Sequence, residues 1–278
     1  MSRLLLLLLP SAIAVAQLTL LFRAGQGASD FQVISLLVWF CSGVLWFEHC
    51  TAAPTGQAVL RWRRSALLAL LPLTWSVLVL SRPYTVYDPL LNAVPLATLL
   101  GLALLLRSGL GRSLLLLGLL PLLHYGLTGL IATEPLEALT ASVSGFVLWL
   151  GGFNVVVQGN QLVLPHRVVE VAAGCTSLNA QSLGLATVIA LLALNGPLPW
   201  ERLLLLLLAS PLLAFFVNAS RVALLALVST AQGSRVAPDL MRYDYWHTGT
   251  GSSLFSFALV TLLFGVEHLL RRPPDSGR

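Results

Sequence analysis

The sequence predicts an all-α polytopic membrane protein of about eight transmembrane helices, with a short extracytoplasmic hairpin and an interfacial segment. Three observations carry that expectation. Only 10% of the 278 residues are charged, where a soluble domain holds about 25%. The mean hydropathy is +0.86. Apolar runs recur along nearly the whole chain, each close to the ~20 residues that cross a bilayer as a helix.

The runs fall at about residues 4–22, 31–51, 65–81, 89–106, 113–131, 177–194, 203–228 and 252–270. The first five make an N-terminal transmembrane bundle over 1–131. The last three belong to a core over 132–278. The opening stretch MSRLLLLLLPSAIAVAQ also has the outline of a cleavable signal, with a basic start, an apolar centre and a small-residue site. Its apolar run continues through Leu18 to Phe22, which favours a span. The apolar stretch 138–151 is short for a span and is expected to lie on or dip into the outer face as part of a helix over 134–151. Counting it as a span would invert everything after it. Next, Phe153 to Gln158, a turn at Gly159-Asn160, and Gln161 to Leu164 read as a hairpin. In lipid its edges would lack partners, so it belongs at the water interface or against protein.

Orientation follows the basic residues. All 16 of them are arginine. Assigning the N-terminus, 52–64, 107–112, 195–202 and the C-terminus to the cytoplasm places there Arg3, Arg61, Arg63, Arg64, Arg107, Arg112, Arg202, Arg271, Arg272 and Arg278. The opposite side keeps Arg23, Arg82, Arg167, Arg235 and Arg242, and Arg221 lies inside a span. Both termini are therefore expected in the cytoplasm. The net charge of +5 does not imply a nucleic-acid partner, because the positives are scattered and no basic patch is interleaved with aromatics. The implied partner from composition is the lipid bilayer.

Three cysteines, Cys41, Cys50 and Cys175, are too few and too spread for a disulfide framework or a zinc cluster. No metal and no cofactor is expected. Cys41 and Cys50 face opposite sides of one helix and read as packing residues. Cys175 differs, because it stands at the outer start of the 177–194 span, directly after the hairpin. Arg221 lies 18 residues beyond the inner start of its span, about 27 Å along the helix, and so reaches the outer interface as well. His247 precedes the last span, again on the outer side. A thiol, a guanidinium and an imidazole thus share one depth.

Those types fit acyl transfer. A thiolate attacks, and a free cysteine needs a cationic neighbour to ionise near neutrality. His247 would supply that charge and then protonate the leaving amine. Arg221 stays protonated and cannot be a base; its expected role is to hold an oxyanion or the substrate carbonyl. Asn218, three residues earlier on the same helix face, would orient Arg221 or donate to substrate.

The stretch from about 150 to 255 resembles the exosortase/archaeosortase family of membrane protein-sorting transpeptidases. That family carries a cysteine motif, an N-x-x-R motif and an H-x-x-x-G motif in order. Here they read Glu170-Val-Ala-Ala-Gly-Cys175-Thr-Ser, Asn218-Ala-Ser-Arg221 and His247-Thr-Gly-Thr-Gly251, and Leu164-Pro165 before the cysteine is similar too. The resemblance implies one exosortase-like domain with Cys175, Arg221 and His247 catalytic, and with Asn218, Glu170 and Gly251 supporting. It also implies partners: exported proteins whose C-terminal sorting signal combines a short motif, a transmembrane helix and a basic cluster. Such enzymes cut at the motif and pass the acyl group to an acceptor, often in bacteria that make exopolysaccharide; the implied location is the bacterial inner membrane. The chain departs from the family pattern at Cys175-Thr176-Ser177, where Cys-Ser-Gly is usual.

Other readings compete with these assignments. His166, also outside, is a rival base. Tyr243, Tyr245 and Trp246 beside His247 would suit an interfacial aromatic belt, and Arg221 could snorkel. Glu170 would tune Cys175 or His247, or remain an exposed carboxylate. Glu48, His49, Glu267 and His268 at inner span ends are expected to face headgroups, and His124 to be a packing residue. Gly27-Ala-Ser29-Asp30 is similar to a rhomboid serine motif but falls in a loop. The alternative function is a transporter or flippase for an exopolysaccharide precursor. That reading would place polar groups near the midplane, where this chain has mostly Leu, Ala and Val.

Overall fold

The computed structural model describes residues 3–24, 30–52, 85, 88–106, 109–230, 243–247 and 250–272. Its helices are α1 (Arg3–Ala24), α2 (Asp30–Ala52), α3 (Pro89–Leu106), α4 (Gly109–Leu130), α5 (Glu134–Leu150), α6 (Leu178–Asn195), α7 (Trp200–Thr230), the short α8 (Tyr243–His247) and α9 (Thr250–Arg271). Between α5 and α6 lie β1 (Val156–Gln158), β2 (Gln161–Leu164), β3 (Arg167–Glu170) and a 3₁₀ turn over Ala173–Cys175.

The chain is a mostly helical polytopic membrane protein, but the expected eight spans are not all matched. Among the described residues five stretches are long and apolar enough to cross a bilayer: Phe31–His49, Leu110–Leu130, Ala173–Asn195, Trp200–Val228 and Tyr245–Arg271. The expected runs at 4–22 and 89–106 form the helices α1 and α3. The expected span at 65–81 lies outside the described residues, as do Gly27, Ser29 and the loop around them.

The chain divides into two compact units. One comprises Met1–Gly126 with Ile189–Pro197, the other Leu127–Val188 with Leu198–Arg278. In the first, small residues let helices approach closely, as packing in lipid requires where apolar burial gives no drive. A Cβ on Gly118 of α4 would come within 2.9 Å of the Leu96 Cα on α3. Buried polar groups are matched across helices. Gln17 of α1 accepts from Trp39 Nε1 at 2.8 Å and donates to Leu91 O at 3.3 Å and Ser35 Oγ at 3.4 Å. His124 is buried edge-on against Phe31, with ring centroids 4.3 Å apart, which fits the packing role expected of it.

The second unit carries the hairpin region. Its sheet has three strands in the order β1-β2-β3, all antiparallel, one more than expected. The short run Arg167-Val-Val-Glu170 extends because two β-branched residues follow a two-residue turn, Pro165-His166, that pairs Leu164 with Arg167. The β1–β2 turn needs its glycine, since Gly159 has φ +62°. One sheet face packs into the core, where Leu162, Leu164 and Val171 meet Ala141 and Leu148 of α5 and Val222, Ala223 and Ala226 of α7.

Helix α5 buries the small residues Thr140, Ala141, Ser144 and Gly145 in one stripe with Leu148. At Gly145 an added Cβ would meet Val157 Cγ2 at 2.4 Å, so only glycine lets the sheet sit this close. Its exposed side is apolar, with Leu139, Phe146, Trp149 and Leu150, the pattern of a helix that meets lipid and not water. Helix α7 runs between α5 and α9. Near the α9 end, Arg202 Nη1 donates to Leu270 O at 2.6 Å and caps carbonyls that the last helical turn leaves over. Glu267, expected to face headgroups, is instead buried and pairs with Arg271 one turn on.

Candidate active site

Four elements of the second unit deliver the site. The extended residues Val171 and Ala172 lead from β3 into the 3₁₀ turn, where Cys175 N donates to Ala172 O at 2.8 Å. Thr176 closes that turn with its hydroxyl on Ala173 O at 2.9 Å. Ser177, in the position where the family pattern has glycine, is fully buried, and its Oγ accepts from Gln181 Nε2 at 3.1 Å. It occupies the residue just before α6, a place that favours serine. The turn therefore forms without the glycine, and the thiol is held at the start of α6 with 9% exposure.

His247 ends α8. Its Nε2 lies 3.4 Å from Cys175 Sγ, within reach of a sulfur hydrogen bond. The Tyr243 ring stacks on the imidazole at 4.9 Å between centroids and 21° between planes, which fixes the ring's plane. Gly251, at the first turn of α9, explains the spacing of its motif. A Cβ there would meet Trp246 Cε3 at 2.5 Å and Tyr245 Cδ1 at 2.8 Å. Only glycine lets the aromatic segment fold back on α9 and hold His247 where it stands.

The N-x-x-R pair links the two. Asn218 and Arg221 occupy one face of α7, three residues apart. Asn218 is buried, and its Nδ2 donates to Cys175 O at 3.0 Å. Arg221 Nη2 donates to His247 O at 2.6 Å, and its Nε to Trp246 O at 3.4 Å. One helical turn thus holds the main chain of the thiol segment with one side chain and that of the imidazole segment with the other. All three bonds go to backbone carbonyls, so Asn218 holds the cysteine segment and not the Arg221 guanidinium. A guanidinium has five N–H groups, and Arg221 makes no other hydrogen bond among the described residues.

Of the remaining candidates, Glu170 stays outside this cluster. It is exposed at the end of β3, and its Oε1 accepts from Asn160 Nδ2 at 3.4 Å. The same amide reaches Glu137 Oε2 at 3.3 Å, so Asn160 bridges two carboxylates across the hairpin turn. His166, the rival base, sits exposed in the β2–β3 turn, while His247 holds the sulfur. Among the described residues no group of three His, Cys, Asp or Glu side chains is placed to hold a metal ion. The structure adds Tyr243 and Trp246 to the site. Tyr243 stands four residues before His247, the spacing of helical neighbours, so a signal for it was present.

The family described as transmembrane exosortase fits residues 25–264, which takes in all three motifs and most of the helices. No curated protein and no solved structure matches the chain.

Proposed function

The chain belongs to the transmembrane exosortase family, and on that premise we propose that it is a membrane cysteine transpeptidase acting on the C-terminal sorting signals of exported proteins. The observation that carries this reading is the 3.4 Å approach of Cys175 Sγ to His247 Nε2, with Arg221 beside both.

The chemistry runs in two balanced halves. His247 takes the Cys175 proton, and the thiolate attacks the carbonyl carbon of the scissile peptide. The oxyanion that forms is met by the N–H groups of Arg221 not engaged with the α8 carbonyls. The C–N bond then breaks, the imidazolium gives its proton to the departing amine, and the exported protein remains as a thioester on Cys175. In the second half an acceptor amine, hydroxyl or water attacks the thioester. His247 takes the acceptor's proton and the thiol is restored. Arg221 has a second task, because its bonds to Trp246 O and His247 O hold the imidazole segment against the sulfur. Asn218 does the same for Cys175, and Gly251 allows both.

The arginine distribution and the family support the following setting. The enzyme lies in a bacterial inner membrane as a multi-pass protein with both termini cytoplasmic, and its site faces outward. Its substrates carry a short motif, a transmembrane helix and a basic cluster at the C-terminus.

Replacement of Cys175 by alanine or serine tests the proposal, with the size of candidate sorting-signal proteins in membranes as readout. Full-length precursors should accumulate. Normal shortening in the alanine variant would end the cysteine mechanism. A parallel pair, His166→Ala and His247→Ala, assigns the base: processing should survive the first and fail in the second.

A further inference from the structure

The three-stranded sheet ends in a strand whose outer edge runs directly toward Cys175. Which backbone groups line that edge follows from the register. Val171 N donates to Asn160 O at 2.9 Å, and Leu162 pairs with Val169 and Leu164 with Arg167. Antiparallel partners alternate between bonded and non-bonded pairs, so Arg167, Val169 and Val171 turn their N–H and C=O toward β2. Val168 and Glu170 turn theirs the other way. Among the described residues no hydrogen bond reaches the backbone of either.

The same alternation sorts the side chains. Val169 and Val171 face the core with Leu162 and Leu164, while Val168 and Glu170 stand on the outer face. There Val156, Val163 and Val168 are directly opposed across all three strands, and the two end members are 53% and 54% exposed. A parallel polar row, Gln158, Gln161 and Glu170, lies beside it. The chain stays extended through Ala172, with φ −79° and ψ 167°, and Cys175 follows after a single tight turn.

We propose that an extended polypeptide segment of the substrate adds to β3 as a fourth strand and is delivered by that edge to the Cys175 thiol. This deepens the transpeptidase reading and rests on it. Main-chain hydrogen bonds to Val168 and Glu170, about 6.6 Å apart along the strand, supply affinity that does not depend on side chains. Beyond Glu170 the ladder stops, because Ala172 O is taken by Cys175 N. The guest strand therefore leaves the sheet beside the thiol. Selectivity comes from the two rows: a β-branched or other apolar guest residue extends the valine row, and a polar one extends the row that ends at Glu170. Two alternatives fit less well. A second copy of this chain pairing edge to edge would occupy the edge without presenting a scissile peptide bond to Cys175. Lipid offers nothing to open N–H groups.

The test uses the full chain in membranes and the rate of Cys175 alkylation, read by mass spectrometry of the peptide that contains it. Three reagents are compared: the extended reagent acetyl-Val-Thr-Val-Ala chloromethyl ketone, its twin with alternate amide nitrogens methylated, and iodoacetamide. The unmethylated peptide should label roughly tenfold faster than its twin, as loss of one or two hydrogen bonds predicts. Val168→Pro and Glu170→Pro remove outward N–H groups without touching the β2–β3 ladder, and should bring the two peptide rates together. Iodoacetamide should label both variants at the parental rate, which confirms an intact site. Equal rates for the two peptides on the parent chain would overturn the proposal, and this comparison needs no variant to fold. So would proline variants that keep the full preference. A preference abolished by proline supports the edge whatever Cys175→Ala does to processing. A preference untouched by proline sinks the edge even where Cys175 proves to be the nucleophile.

Discussion

Two buried polar clusters in this chain use the same bonds to different ends. In the first unit Gln17, Ser35 and Trp39 bond to each other and to Leu91 O. In the second, among the described residues, Asn218 and Arg221 bond only to backbone carbonyls, those of Cys175, Trp246 and His247. The first network centres on Gln17 and holds no titratable group. The second ties down two main-chain segments and leaves a thiol and an imidazole facing each other. The difference marks polar groups that hold helices together in lipid apart from polar groups that hold a thiol against an imidazole.

The largest effects should fall on the pair that the second cluster presents. Cys175→Ala and His247→Ala should each lower processing by at least ~10³-fold with little change in membrane insertion, as expected for members of one catalytic unit. Quantitative immunoblots of precursor and product would measure it. Arg221→Lys comes next, with a loss of roughly 10²-fold. A lysine keeps the charge but cannot fork to two carbonyls, so recovery of full activity by lysine would reduce the role of Arg221 to charge alone. Gly251→Ala should cost about tenfold or more through the displaced Trp246 and Tyr245 rings, a loss that should be eased by a smaller side chain at 246. Gln17→Leu is the smallest. It should lower resistance to thermal unfolding in detergent by about 1 kcal/mol and leave processing unchanged, which would separate the two clusters cleanly.

The fold class was legible because apolar run length and charge depletion act locally, one helix at a time. The number of spans was less so: among the described residues five stretches are long and apolar enough to cross a bilayer, where eight runs were expected. β3 was missed because Val168-Val169 is too short a run to signal a strand unless its pairing with β2 is known. Cys175, Arg221 and His247 could be placed at one depth by counting residues from span ends. Their lateral meeting could not, since it depends on packing among α6, α7 and α8. The roles of Asn218 and Arg221 were hidden for the same reason. Sequence names a donor, but the carbonyl that accepts from it belongs to a segment 25 to 43 residues away. Gly251 was legible as a motif position, and its cause, the rings of Tyr245 and Trp246 against its Cα, needed the structure.

The central claim is that Cys175 forms a covalent acyl link with the protein being sorted, with His247 as its proton carrier. The most direct measurement is mass spectrometry of the Cys175 peptide from membranes quenched during processing, with and without hydroxylamine, which cleaves thioesters. The account predicts a substrate-derived adduct on Cys175 that hydroxylamine releases and that His247→Ala no longer accumulates. Processing that continues at the normal rate in Cys175→Ala membranes, with no adduct on the parent chain, would contradict it.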